Sequence, residues 1–288
     1  MMRSLYSGVS GLRNHQTRMD VIGNNIANVN TTAYKTSRTV FQDVYSQTIR
    51  AASASSATLG GTNPSQIGLG VMLGTIDTLF TTGATQRTDN PSDLKLDGDG
   101  FFVVDTNGTD PAGLKYTRAG NFYVDNVGTL VTSDGYFVMG YQLYDSTTNT
   151  STPIADPTTL TEADLVQIDL ADYTNISFDS TGVVWGYTAA GDKVAVAQIG
   201  LAMFTNNSGL EKAGGSLYNW SPSSGAPIYT IVGSQGAGGI TSGALEMSNV
   251  DLAAEFTDMI ITQRGFQANS RVITVSDTML EELVNLKR

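Results

Sequence analysis

The residues able to do chemistry are few and scattered. His15 is the sole histidine and there is no cysteine. Disulfides and thiolate metal sites are therefore absent, and any Ser-His-Asp relay has to be built on His15. No Gly-x-Ser-x-Gly elbow is present to lift a serine toward it, so His15 reads as a solvated or interface side chain. Gly68-Leu69-Gly70 is followed by glycine only at Gly74, which breaks dinucleotide spacing, and no Walker A motif occurs. Asp97, Asp99, Asp105 and Asp110 lie among glycines, as calcium ligands do. Phe101, however, stands where an EF-hand loop needs an oxygen, and these aspartates read as turn residues. A glycosidase-type carboxylate pair is compatible with so acidic a middle, but nothing marks one. The expectation is no catalytic residue, no metal and no cofactor.

The two ends of the chain carry the organised pattern. Leu252, Met259, Phe266, Ile273 and Leu280 recur every seven residues, with Phe256, Leu283, Gln263 and Ser270 beside that row. Such a repeat on a helix makes a narrow apolar stripe that needs a partner helix. Asp251 fits the N-cap, Ala253, Ala254 and Glu255 follow as good formers, and Gly265 is the one glycine. At the other end, Leu5, Leu12, Met19 and Ile26 also recur every seven residues, flanked by Val9, Ile22 and Val29, with no proline between Met2 and Val29. Residues 1–50 carry six basic and two acidic side chains, and residues 245–288 carry seven acidic and four basic. Opposite charge favours pairing of the ends with each other. The plainer reading makes each an amphipathic surface helix of a globular domain. Asn24, Asn25, Asn28 and Asn30 close the first helix. They read as buried amides that fix register between packed helices, or alternatively as a frayed terminus.

Between the ends the pattern changes. Residues 31–70 read as an irregular connector, with a short helix around Phe41, Val44, Tyr45 and Ile49 and a turn cluster at Gly60-Gly61-Thr62-Asn63-Pro64. Strands are expected at Val71–Phe80, Leu94–Leu96, Phe101–Asp105, Asn121–Val124, Leu130–Thr132, Tyr136–Gln142, Ile176–Phe178, Val183–Tyr187, Val194–Phe204 and Leu217–Trp220. Asp97-Gly98-Asp99-Gly100, Asn107-Gly108 and Ser133-Asp134-Gly135 are hairpin signals. Residues 145–175 form a polar excursion read as an exposed loop. The expected fold is α+β: helical ends (1–30 and 249–288) pairing in a coiled-coil-like domain, a connector (31–70), and a mainly antiparallel β domain (71–248).

The net charge of −11 and pI near 4.4 argue against a nucleic-acid partner, which calls for a basic face. No run approaches the ~18 apolar residues of a membrane span. Met1-Met2-Arg3-Ser4 leads into an amphipathic segment rather than a signal peptide, so the expectation is a cytosolic protein or one exported without a cleaved signal.

Three stretches resemble the bacterial flagellar rod and hook axial proteins. They are Ser4-Leu5-Tyr6-Ser7-Gly8-Val9-Ser10-Gly11-Leu12 with Asp20-Val21-Ile22-Gly23-Asn24-Asn25-Ile26-Ala27-Asn28-Val29-Asn30-Thr31 and Tyr34-Lys35; Leu94-Lys95-Leu96-Asp97-Gly98-Asp99-Gly100-Phe101-Phe102; and Glu246 to Leu252 with Gln263-Arg264-Gly265-Phe266-Gln267-Ala268-Asn269-Ser270-Arg271. Within that family, Gly61 to Gly70 and Gly209 to Gly215 resemble hook members most, with distal rod members as the alternative. About thirty polar residues stand where many hook members insert a large outer domain. The resemblance implies an extracellular subunit exported through the flagellar type III apparatus. It implies helical polymerisation into a hollow, torque-transmitting joint, with the rod, the hook–filament junction protein and a temporary hook cap as partners. The implied assembly interface comprises Leu5, Val9, Leu12, Met19, Asn24, Asn25, Ile26, Asn28, Leu252, Phe256, Met259, Phe266, Ile273, Leu280 and Leu283. Two other classes compete: a binding module using Trp185, Tyr187, Tyr218 and Trp220, and an enzyme with an acidic cleft.

Overall fold

The computed structural model describes residues 2–55, 60–107, 113–145, 150–151 and 160–286. They fall into two compact units, one built from Met1–Asn28, Thr36–Leu79 and Val250–Arg288, the other from Val29–Lys35 and Phe80–Asn249.

In the first unit, α1 (Met2–Ala27) and α2 (Leu252–Asn285) are uninterrupted by proline. Asp251 caps α2 as its sequence suggests: the Ala253 and Ala254 N–H groups donate to Asp251 Oδ1 at 2.9 and 3.4 Å, satisfying two of the unpaired donors of the first turn. The helices pack side by side in opposite directions. Gly8 faces Ile273, Gly11 faces Asn269, His15 faces Gly265 and Asn25 reaches Glu255.

The expected irregular connector instead holds three strands, β1 (Ser37–Asp43), β2 (Ser46–Arg50) and β3 (Ser65–Gly68), and the strand expected from Val71 follows as β4 (Val71–Thr78). β1 pairs with β4 from Ser37↔Thr78 to Asp43↔Val71, and β2 pairs with β3. No helix forms at Phe41–Ile49. Burial along β1 alternates with period two through Ser37-Arg38-Thr39-Val40-Phe41, and β-branched Thr39 and Val40 suit that pleat. β4 belongs with the helices, not with the β domain. Asn14 Nδ2 donates to the Val71 carbonyl at 2.7 Å and the Val71 N–H donates to Ser10 Oγ at 3.4 Å, which pins β4 to α1.

The second unit runs through β5 (Thr85–Arg87), β6 (Leu94–Asp97), β7 (Phe101–Asp105), β8 (Leu114–Thr117), β9 (Phe122–Val124), β10 (Leu130–Thr132), β11 (Phe137–Gln142), β12 (Tyr144–Asp145) and β13 (Thr150–Ser151). It continues through β14 (Val166–Gln167), β15 (Thr174–Phe178), β16 (Val183–Tyr187), β17 (Lys193–Met203), β18 (Glu211–Gly214), β19 (Leu217–Asn219), β20 (Ile228–Ile231), β21 (Gly239–Ser242) and β22 (Ala244–Glu246). The main sheet follows β15-β16-β17-β11-β7-β8-β19-β18, every ladder antiparallel. β7 is buried on both faces. Phe102 enters a core with Leu94, Leu96, Phe122, Val138 and Ile199. Phe101 and Val103 enter a second, aromatic one with Tyr116, Phe204 and Tyr218.

The polar excursion is not one exposed loop. Residues 146–149 and 152–159 lie outside the described residues, but Leu165, Ile168 and Leu170 are buried and β14 pairs with β11. The Asp-Gly signal at 97–100 makes no hairpin either: β6 pairs with β21, and the Asp97 carboxylate is held by Lys95 Nζ and Thr241 Oγ1. Ser133-Asp134-Gly135 does turn β10 back onto β11, with Gly135 at φ 83°.

Candidate assembly interface

The sequence-predicted row on α2 is half of a seam. Burial along α2 steps by four and three: Glu255, Met259, Thr262, Phe266, Asn269, Ile273, Ser276 and Leu280 are buried or half-buried. This is the seven-residue period of a helix–helix contact. Met259, Phe266, Ile273 and Leu280 were legible as its apolar row. The companion row of Glu255, Thr262, Asn269 and Ser276 was not, because it is polar. Its two fully enclosed hydroxyls are satisfied within the helix, Thr262 on the Asp258 carbonyl at 2.7 Å and Ser276 on the Val272 carbonyl at 2.8 Å.

The facing side of α1 is made of Gly8, Gly11, His15, Arg18, Ile22 and Asn25, again at steps of three and four. Glycine makes room for the facing side chains. A Cβ on Gly11 falls 2.5 Å from Asn269 Nδ2, and one on Gly265 falls 2.7 Å from His15 Cε1. Leu5, Leu12, Met19 and Ile26 flank this seam half-buried, and Val9 is exposed. The glycine spacing was available in the sequence but invisible to a search for apolar side chains.

Polar contacts set the register. Asn25, 1% exposed, donates through Nδ2 to Glu255 Oε1 and to the Ser37 carbonyl, both at 2.9 Å, and accepts from the Ser37 N–H at 3.0 Å. Asn28 instead bonds back to Asn24 at 2.9 Å, which finishes the last turn of α1. Burial raises the Glu255 carboxyl above its ordinary range, and the Asn25 amide partly opposes this. Arg18 and Asp258 approach to 3.1 Å in a half-exposed pair, a contribution of about 1 kcal/mol or less. His15 is pushed below its ordinary value by burial first and by Arg18 second.

Several expected interface residues find no cover within the unit. Leu252 and Leu283 are exposed near the two ends of α2, and Phe256 is exposed beside the seam. A second stripe on α2, also at steps of four and three, runs Ile261, Gly265, Ala268, Val272, Val275, Met279. Val275 is 55% exposed, and Ile261, Val272 and Met279 are exposed with it. Every residue of β2 and β3 is also exposed, and a lone two-stranded ladder is marginal in water. Of the four candidate binding-site aromatics, Tyr218 is core beside Phe80 and Phe101, and Trp185 lies under Lys193 Nζ at 4.6 Å. Tyr187 and Trp220 are exposed.

Three family models match in chain order: flagella basal body rod protein over residues 5–35, flagellar hook protein FlgE/F/G D1 domain over 95–186, and flagellar basal body rod FlgEFG protein C-terminal over 241–286. The chain is 52% identical over 289 residues to the flagellar basal-body rod protein FlgG of Bacillus subtilis (strain 168), with both chains covered in full. It is 37% identical over 294 residues to the FlgG of Buchnera aphidicola subsp. Acyrthosiphon pisum, covering 99% of this chain and 100% of that one. To the flagellar hook protein FlgE of Borreliella burgdorferi it is 33% identical, with both chains covered in full, but the alignment stretches to 445 positions. Sequence motifs had put hook ahead of rod. Identity and matching length now favour the rod members, because the extra positions of the hook relative have no counterpart here. The chain belongs to the flagellar rod and hook axial protein family, the structural proteins of the flagellar basal body and hook.

Proposed function

We propose that this chain is the distal rod subunit of the flagellar basal body, a structural protein that polymerises helically into a straight, hollow shaft. The observation that carries the reading is the end-to-end match at 52% identity to a rod protein of the same length. The second stripe of α2 supports self-assembly: its exposed apolar residues Ile261, Val272, Val275 and Met279 call for cover from a neighbour. A contact between two different surfaces, repeated without closing, generates a helix. On this reading the chain leaves the cell through the flagellar type III apparatus without a cleaved signal. Its neighbours are copies of itself, other rod proteins and the hook. The junction protein and hook cap belong to the hook reading and drop out as direct neighbours.

Electron microscopy of the concentrated full-length chain tests this. Straight, rigid cylinders are expected. Curved, flexible tubes favour the hook reading, which the match to the hook protein D1 model keeps in play. Compact particles at every concentration overturn assembly altogether. A Val272→Glu, Val275→Glu double variant should keep the helical content of the wild type and form no cylinders.

A further inference from the structure

The antiparallel register leaves α2 longer than its partner. Ile273 faces Gly8, and α1 begins six residues earlier at Met2. The matching step along α2 ends at Met279, so the helix from Leu280 to Asn285 has no α1 opposite it. That is roughly two turns, about 9 Å of helix. The extension carries Leu283 and Val284, with Leu286 following at 82% exposure. It also carries two carboxylates, Glu281 and Glu282. Lys287 and Arg288 lie outside the described residues.

The same unit holds a groove of about 420 Å³ between α1 and β4, lined by Tyr6, Val9, Arg13, Val71, Met72 and Leu73. Its shape is fixed by the Ser10 and Asn14 bonds to Val71. Besides its apolar residues it is lined by Ser10 and Asn14, whose side chains are engaged by Val71, and by the Arg13 guanidinium, its one charged group, which has no carboxylate partner among the described residues. Tyr6, Val9 and Met72 are exposed there. The chain's own α2 extension cannot fill this groove. It continues as helix past the start of α1, away from residues 6–14, and reaching back would mean unwinding it.

We propose that the last two turns of α2 of one copy dock in the α1–β4 groove of a second copy, with Leu283, Val284 and Leu286 on Val9, Val71 and Met72, and Glu281 and Glu282 beside Arg13. The inference rests on the self-assembly reading and names the contact. Knob and groove are different surfaces, so each copy offers one of each, and repetition runs on without closing. Charge supports the pairing: carboxylates on the insert meet the one cation of the groove.

The natural chain has no cysteine, so an introduced pair reports on one contact alone. Met72→Cys and Val284→Cys, both at exposed positions, are combined in one full-length chain, which is concentrated into polymers and mildly oxidised. A ladder of disulfide-linked dimers, trimers and longer chains is expected. Arg13→Glu should raise the critical concentration for assembly about fivefold, and adding Glu281→Arg with Glu282→Arg should return it to within about twofold of wild type. Polymers that form without linkage overturn the docking and leave self-assembly standing. The absence of both polymers and linked species at any concentration overturns both.

Discussion

Lys35 Nζ lies 2.6 Å from Glu246 Oε1, with both side chains wholly buried and 211 positions apart in the chain. Lys35 also donates to the Thr81 carbonyl at 2.7 Å, and Glu246 Oε1 accepts from the Gly83 N–H at 2.9 Å. The second carboxylate oxygen faces Arg118 Nη1 at 3.5 Å, while Arg118 Nη2 donates to the Gly98 carbonyl at 2.7 Å and the guanidinium sits 5.4 Å from the Phe101 ring centre. One carboxylate thus gathers the segments at 35, 83, 118 and 246 of the second unit. Even with these partners, burial holds the Lys35 ammonium below its ordinary range.

Glu246→Ala should be the most damaging single change in this cluster, because it leaves two buried cations without a counter-charge. The expected cost is about 3–5 kcal/mol in urea unfolding. Lys35→Met should cost less, since Arg118 still neutralises Glu246. Equal costs for the two variants would show that the carboxylate is not shared.

His15 gives the helix pair a pH dependence with a definite sign. Its pKa in the folded chain lies below 6.5, so between the two values the unfolded chain binds more protons. Stability therefore rises with pH through that window and is lost as pH falls below 6.5. As the sole histidine, it is the one side chain whose ordinary pKa lies there. His15→Leu should flatten the slope of helix unfolding against pH, measured by circular dichroism. An unchanged slope would assign the titration elsewhere.

Gly11 and Asn269 form a size-matched pair. Gly11→Ala gains about 1 kcal/mol in helix propensity but drives a methyl into the Asn269 amide, 2.5 Å away. The expected net is a destabilisation of about 1–2 kcal/mol. With Asn269→Ala in the background the clash is gone, and Gly11→Ala should then stabilise. A thermal-denaturation double-mutant cycle reads the change of sign directly. If the two effects simply add, the helices are not in contact there.

The ends of the chain were readable because their signals are local. Asp251 before an uninterrupted run, and Met259 to Leu280 at sevens, need no knowledge of distant residues. The partner row of Thr262, Asn269 and Ser276 keeps the same period but hides in polar side chains, and Gly8 and Gly11 act by lacking a side chain at all. In the β unit, Phe101–Asp105 and Val183–Tyr187 announced themselves by composition. β8 did not, because Leu114-Lys115-Tyr116-Thr117 is a strand by virtue of neighbours such as Leu217, which pairs with Thr117 from a hundred positions away. The Asp-Gly signal at 97–100 failed for the same reason: a distant strand, β21, outcompeted the local hairpin. Hook and rod members share these motifs, so length and identity, rather than any single residue, separate them.

The Glu246 cluster also sets an order of events. A chain made from its N-terminus presents Lys35 first, then Arg118, and their counter-charge arrives last, with only α2 still to follow. Until then, closing the core means enclosing two cations in an apolar interior, a cost of several kcal/mol for each. That cost disfavours a half-built form of the second unit. An incomplete chain that lacks residue 246 is expected to leave this core open, because Lys35 and Arg118 then have no carboxylate to meet.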